Sequence, residues 1–394
     1  MKTPFAALPA ILLLFAASCT GADGLRADGE RGLDHSSHAR VPEGKENPET
    51  PEGPGTTVYL SGVRYPDGYD WRHSTDEAEH IVFLLGDGEP LFESSLAPAE
   101  ADTRLISGGH LFHTVTEGDS TFVFCDGKRR IAYRAREMTA ALEDDGNGNI
   151  LSIGEPRSTE EAFTYRINGS AKMKRNGLLV SETIKNAVFH YRDTDGDYII
   201  VENGIEKQTV APVADGTIVK AIVLGAKTYA YEKIGPYILI QSEGKGVYLI
   251  VPSYYYSDFR LEDWFFYDGD GFLTFVSATD FNGIPKAVIF RNGKQAEYFE
   301  GYEFYNVLCE GSSLALVLKV KDREEYAISV NMKSPDPLPE NFIPHSKRAM
   351  DFSGGTLRLA LDTPQRPVLW QDGAMSRFSF NGYIDNIVVQ YSGE

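Results

Sequence analysis

The sequence predicts an all-β protein: a β-propeller of about eight four-stranded blades, with seven as the fallback count. Three observations carry the prediction. From Thr57 onward short apolar runs alternate with Gly, Asp and Asn turns, and no stretch there sustains a long helical period. One turn pattern returns along the chain, as in "VIFRNG" at Val288–Gly293 and "VLWQDG" at Val368–Gly373, 80 residues apart. The composition, with Gly 38, Tyr 21 and Phe 22, suits pleated surfaces joined by tight turns.

Taken in order, the chain opens with Lys2 and an apolar run from Phe5 to Ala17, ending in "FAASC" at Cys19. A short positive start, an apolar centre and small residues before a cut describe a secretory signal peptide over residues 1–18. The run is too short for a comfortable membrane span. Small residues followed at once by cysteine resemble the bacterial lipobox, in which the cysteine is lipidated and becomes the new N-terminus. That resemblance implies lipidation at Cys19 and a bacterial cell envelope address, anchored to the outer membrane. The lipobox usually carries leucine three residues before the cysteine, where this chain has Ala16.

Residues 19–56 then form the lipidated cysteine and its tether. Thr20–Thr56 has no aromatic residue, few aliphatics and many Gly, Pro and charged residues. Such a segment buries too little to offset its ordering entropy, so it reads as disordered. His35 and His38 within it read as polar spacers on a flexible chain.

Residues 57–394 form the propeller domain. The turn glycines are Gly88, Gly127, Gly169, Gly204, Gly244, Gly293 and Gly373. Up to Gly293 they stand 39, 42, 35, 40 and 49 residues apart, and a degenerate member near Asn331 divides the last interval of 80. Around each, the pattern is strand A, a Gly/Ser turn, strand B, a loop, strand C, an Asn/Asp-Gly turn and strand D. Asn-Gly and Asp-Gly accept the positive φ angles of two-residue hairpins. Four short antiparallel strands in about 40 residues is the signature of a propeller blade. At this level the chain resembles the propeller repeats of secreted bacterial proteins, which read roughly D-V-Y-V-A-G followed by V-Y-W-K-N-G. The two ends complement each other. "TTVYLSG" matches a strand B with no strand A before it, and "YIDNIVVQ" a strand A with no strand B after it. The C-terminal strand is therefore expected to complete the N-terminal blade and close the ring, which protects its edges.

The composition also bounds the function. Lys plus Arg number 38 against 57 Asp plus Glu, a formal charge of −19, and such a surface repels phosphate backbones, so nucleic acid is not an expected partner. No nucleophile elbow, zinc-protease motif, phosphate-binding loop or dinucleotide fingerprint is present. Cys125 and Cys309 lie in separate apolar stretches and read as two buried free thiols, with one disulfide between them as the alternative. His110 and His113 flank a strand, where packed or exposed histidines are ordinary. Glu262 and Asp263 are a paired-carboxylate candidate for glycoside chemistry, but adjacency in an acidic chain is commonplace.

"DTDGD" sets Asp193, Asp195 and Asp197 at alternate positions, a spacing able to turn several oxygens toward one hard cation, so Ca²⁺ is the one cofactor considered. It lacks the spacing of an EF-hand, and Asp145, Asn147 and Asn149 in "DDGNGN" depart from it too. Turns favour these residues for backbone reasons alone.

The aromatic segments are more suggestive of a binding site. "YPDGYDW" brings Tyr65, Tyr69 and Trp71 into a long B–C loop. "SYYYSDFRLEDW" brings Tyr254, Tyr255, Tyr256 and Trp264 between the fifth and sixth blades. Such rings offer flat stacking surfaces with a polar tip, although they also pack between blades. In an A–B–C–D meander the A–B and C–D turns emerge on one face, and the B–C loops and D-to-A crossovers on the other. Both aromatic segments, Asp193–Asp197 and "DFNGIP" at Asp280–Pro285 fall on the second face. The expectation is a non-catalytic, lipid-anchored envelope protein that binds a glycan or an envelope protein through that face, touching membrane through its N-terminal lipid only. The alternatives are a propeller-fold glycosidase or lyase with its site at the channel mouth, or a structural subunit of an envelope complex. Fold does not separate them.

Overall fold

Eight antiparallel sheets follow one another along the chain in a computed structural model that describes residues 55–391, apart from 74–77, 96–102, 135–136, 157–161, 182–183, 185 and 214. The signal peptide, Cys19 and nearly all of the tether lie outside the described residues. Each sheet is one blade, and its strands are lettered A to D. Blade 1 takes strand A from the far end of the chain, Asn381–Tyr391, and adds Thr56–Tyr65, Ile81–Gly86 and Glu89–Ser94. Blade 2 is Thr103–Ser107, His110–Glu117, Ser120–Cys125 and Lys128–Arg134. Blade 3 is Glu137–Asp144, Ile150–Pro156, Ala162–Ile167 and Ser170–Asn176, and blade 4 is Leu178–Leu179, Val188–Arg192, Tyr198–Glu202 and Ile205–Val210. Blade 5 is Thr217–Leu224, Lys227–Ile234, Tyr237–Ser242 and Lys245–Ile250. Blade 6 is Asp258–Tyr267, Phe272–Thr279, Pro285–Arg291 and Lys294–Glu300. Blade 7 is Tyr302–Glu310, Ser313–Val320, Tyr326–Val330 and a vestigial Asp336–Pro337. In blade 8, strand A is broken into Ile343–Pro344 and Met350–Ser353, both paired with Thr356–Asp362, followed by Val368–Gln371 and Ala374–Arg377.

The propeller, its eight blades and its closure by the C-terminal strand are all as the sequence predicts. Asn381–Tyr391 pairs with Thr56–Tyr65 from Tyr65↔Asn381 to Thr56↔Tyr391, interrupted by an irregularity at Ser61/Gly62. Two glycines permit this approach. A Cβ on Gly62 would stand 2.0 Å from the Tyr383 carbonyl oxygen, and one on Gly382 2.0 Å from that of Val63. Neither position has room for a side chain.

The apolar residues gather between blades. Eight buried clusters occupy the eight seams, each drawing on two neighbouring blades. The closing seam is built like the rest, with Val58, Leu60 and Phe83 of blade 1 against Ala349, Ala360 and Leu369 of blade 8. Middle strands face a seam on both sides, so they do not alternate apolar and polar residues. In Ser313–Val320, residues Leu314 to Leu318 are all at most 2% exposed.

The recurring turn has a physical cause. Its Asp or Asn takes φ between 45° and 54° in seven blades, at Asp87, Asp126, Asn168, Asn203, Asn292, Asn331 and Asp372. In blade 6 the Asn292 N–H donates to the Phe272 carbonyl at 3.0 Å, and Asn292 Oδ1 accepts the Phe272 N–H at 2.9 Å. The side chain thus caps the start of strand B. The same pair of bonds recurs at Asp87–Val58, Asp126–Leu111, Asn168–Ile150, Asn331–Leu314 and Asp372–Leu357. Asn331 keeps both bonds although Met332, at φ 58°, stands where the others have glycine. In blade 4 the Ala187 N–H goes instead to Glu143 of blade 3. Blade 5 carries Glu243 at φ 53°. A short side chain that tolerates left-handed backbone and accepts a hydrogen bond is what the position requires.

Candidate functional site

The strand order divides the ring into a turn face, where A–B and C–D turns meet, and a loop face, where B–C loops meet D-to-A crossovers. In blade 6 the loop-face pairing is direct: Ser257 Oγ, in the crossover, donates to the Asp280 carbonyl in the B–C loop at 2.8 Å. The loop face carries the aromatic segments at two places.

The first place is the seam of blades 8 and 1. The loop after Thr56–Tyr65 is anchored by Asn381, whose Nδ2 donates to the carbonyls of Pro66 and Tyr69, both at 2.8 Å. Arg72 reaches across to the Thr363 carbonyl of blade 8. The rings collect on Tyr383 of the closing strand. Tyr65 lies 5.2 Å from Tyr69 and 6.4 Å from Tyr383, and Trp71 lies 5.0 Å from Tyr383. His345 stacks on Tyr383 at 4.4 Å with planes 9° apart, and its Nδ1 lies 2.9 Å from Asp362 Oδ2. The break in strand A of blade 8, between Pro344 and Met350, begins at His345. The Arg72 guanidinium sits 4.8 Å from the Trp71 ring centre, a cation–π contact. Two open clefts flank the loop. One of about 940 Å³ is lined by Arg64, Tyr65, Glu79, His80 and Phe380, the other of about 730 Å³ by Tyr69, Trp71, Arg72, His73 and Arg366. Tyr65, Tyr69 and Trp71 are half-buried, each with one side packed and the cluster bordered by a cleft.

The second place is blade 6. Tyr254 and Tyr255 in the crossover are 68% and 55% exposed, and Phe281 in the B–C loop is 71% exposed. Tyr298 of strand D adds an exposed ring, with Lys286 Nζ 4.8 Å from its centre and 3.2 Å from Asp280. Sequence pattern alone does not single out Phe281 and Tyr298, although "DFNGIP" marks the loop that holds Phe281.

Two aromatic candidates belong elsewhere. Tyr256 is 5% exposed in the core between blades 5 and 6, its hydroxyl donating to Gln295 Oε1 at 2.7 Å. Trp264 lies within strand A of blade 6 rather than in the crossover. It packs edge-on to Phe275 and Phe304, with Lys347 Nζ 5.0 Å from its ring. An irregular register between Leu261 and Phe265 shifts the strand there and turns this indole into the seam with blade 7. The expected shelf from Tyr254 to Trp264 is thus reduced to Tyr254 and Tyr255, with Phe281 in the B–C loop that Ser257 bonds.

The polar candidates have structural partners. Asp193 Oδ1 accepts the N–H groups of Asp195 and Asp197 at 3.0 and 2.9 Å, while its own N–H donates to the Asp197 carbonyl. Asp145 and Asp280 repeat this arrangement with Asn147 and Asn149, and with Asn282 and Ile284. Backbone closure is thus a shared task of all three loops, and Asp145 lies on the turn face. Glu262 and Asp263 point to different blades: Glu262 accepts from Ser277 and Arg260, Asp263 from Lys233 of blade 5. Cys125 and Cys309, on blades 2 and 7, are both free. His113 is buried and stacked on Phe124 at 4.9 Å, and burial, with the nearby Arg104 charge, lowers its pKa to about 4. Among the described residues, the cluster of potential metal ligands is His110, Cys125 and Asp126 on the turn face.

No known protein family matches the chain, and no curated protein matches it in sequence. Solved structures, two of them described as β-propeller domains, are similar to it. The WD40 β-propeller domain of Doa1 is 12% identical, with 86% of this chain and 97% of that one covered and a TM-score of 0.36. The β-propeller domain of the Trilobed protease from Pyrococcus furiosus is 11% identical, with 71% and 95% covered and a TM-score of 0.41. A structure described as the eukaryotic initiation factor is 12% identical, with 83% and 98% covered and a TM-score of 0.43. Blade count and closure stand on the strand pairing itself.

Proposed function

We propose that this protein is a cell-envelope lipoprotein, tethered through Cys19, that binds a glycan or protein ligand on the loop face of its propeller without catalysing a reaction on it. The observation that supports the reading most is the exposure of Tyr254, Tyr255 and Phe281 on the same face as the clefts beside Trp71. Exposed apolar surface gathered on one face is a mark of interaction sites. Tyrosines with a charged rim suit ligands that are partly apolar and partly polar, as sugar faces and peptide segments are.

The anchor and the ligand face are tested separately. Cys19→Ala should abolish fatty-acid labelling and release the protein from membranes. A wild-type chain that carries no lipid refutes the anchor. For the ligand face, glycan arrays and pull-downs from envelope extracts identify a ligand. Affinity is then compared among Tyr255→Ala, Phe281→Ala, Trp71→Ala, Lys128→Ala and Lys294→Ala. The aromatic changes should each cost more than about 1 kcal/mol, as the minority of interface residues that carry binding energy do, and the turn-face lysine changes nothing measurable. Loss confined to the lysine variants would move the ligand to the other face.

A further inference from the structure

The turn of blade 2 differs from its counterparts in what surrounds the capping side chain. Asp126 uses one oxygen as the others do, Oδ1 accepting the Leu111 N–H at 2.9 Å. Its Oδ2 lies 2.6 Å from His110 Nδ1 and 4.0 Å from Cys125 Sγ. The donor atoms of all three side chains lie within 4.8 Å of one another. The turn requires neither neighbour. The place of His110 is taken by Asn149 in blade 3 and Gly271 in blade 6, and that of Cys125 by Ile167 and Arg291. Those blades form the same capping bonds without imidazole or thiol.

We propose that His110, Cys125 and Asp126 bind one divalent transition-metal ion of the zinc class on the turn face. The donor set is one nitrogen, one sulfur and one oxygen, which suits zinc or cobalt and is too soft for calcium or magnesium. Three protein ligands leave a fourth tetrahedral position for water. With ordinary zinc bond lengths, nitrogen and oxygen stand about 3.4 Å apart, and sulfur about 3.6 Å from each. The observed separations of 2.6 and 4.0 Å lie on either side of those values and the third pair is within 4.8 Å, so side-chain shifts of about 1 Å create the site. The bond from Leu111 to Oδ1 fixes the carboxylate with Oδ2 turned toward His110 and Cys125, the outer support that metal ligands commonly have. His110 is exposed over 58% of its side chain, so the ion reaches the site from solvent. On binding, the ion takes the place of the Cys125 thiol proton.

The test is titration of the purified full-length chain with Co²⁺, followed by displacement with Zn²⁺. One Co²⁺ per chain should give a thiolate-to-cobalt charge-transfer band that Zn²⁺ removes. Cys125→Ser should abolish the band, and Cys309→Ser should leave it intact. His110→Gln and Asp126→Asn should each weaken binding at least tenfold, as loss of even an outer-shell partner commonly does. Asp126→Asn retains the cap, since Asn292 performs it in blade 6, and an unchanged melting curve for this variant shows that the turn survives. The histidines outside the described residues, His35 and His38, give no thiolate band. If wild type gives no band, or the band survives Cys125→Ser, or it is lost with Cys309→Ser, the site does not exist and His110–Asp126 is only a hydrogen-bonded pair.

Discussion

On the turn face, seven blades place Asn or Asp at φ between 45° and 54° and hold it with its own strand-B partner. On the loop face, the B–C connections range from the two residues at 118–119 to the long segment at 66–80. Both faces belong to the same blades and sit on the same seam cores, so packing does not account for the contrast. What differs is how tightly the backbone specifies the side chain. A two-residue hairpin with positive φ admits few residue types, whereas a loop anchored only at its ends admits many. The uniform face is therefore informative about fold. The varied face is where sequence is free to serve a ligand.

That contrast exists only while the ring is closed, and breaking the closure should give the largest effect. Removal of Tyr383–Glu394 strips strand A from blade 1 and exposes the unpaired edge of Thr56–Tyr65. A single residue tests the same contact, since a side chain on Gly62 meets the Tyr383 carbonyl at 2.0 Å and Phe83 at 2.9 Å. Both the truncation and Gly62→Val should lose more than about 4 kcal/mol, beyond the usual range for point changes. Urea unfolding and size-exclusion chromatography check this. Wild-type midpoints with a monomeric profile in both variants would mean that the closing strand is dispensable.

The turn face predicts smaller effects of opposite sign in two blades. Asn292→Ala removes the acceptor for the Phe272 N–H and puts alanine at φ 50°, and should cost about 2 kcal/mol. Glu243→Asn gives blade 5 the residue type that its counterparts use, at an exposed position with φ 53°, and should stabilise by about 0.5–1 kcal/mol. Thermal unfolding of the pair is the measurement. If Glu243→Asn destabilises, the cap is not the reason the residue recurs.

These turns also explain how much was legible in the sequence. The blade pattern was readable because a positive φ restricts residues so strongly that Asn/Asp-Gly marks nearly every blade. It blurred at Asn331 because Met332 adopts the glycine conformation, while the capping asparagine stayed. The site was read less well, for two reasons. A side chain's direction depends on register, so "SYYYSDFRLEDW" did not reveal that Tyr256 turns into a seam or that Trp264 sits past a strand irregularity. The cluster around Trp71 depends on His345 and Tyr383, more than 270 residues away, which only closure of the ring brings close.

The smallest stability effect should come from the loop face of blade 6, and its smallness is the point. Phe281 and Tyr255 are 71% and 55% exposed, so replacing either with alanine removes little buried area from the folded chain. Each change should therefore stay within about 0.5 kcal/mol of wild type, as surface substitutions generally do. Tyr256→Phe is the internal control. It keeps the ring in the core and deletes only the hydroxyl bonded to Gln295, so it should cost about 1 kcal/mol and leave ligand affinity unchanged. An exposed side chain that contributes little to stability is free to answer to a ligand. If Tyr255→Ala or Phe281→Ala instead lowers the unfolding midpoint as much as Asn292→Ala does, these rings are part of the packing. The two faces would then not divide scaffold from site.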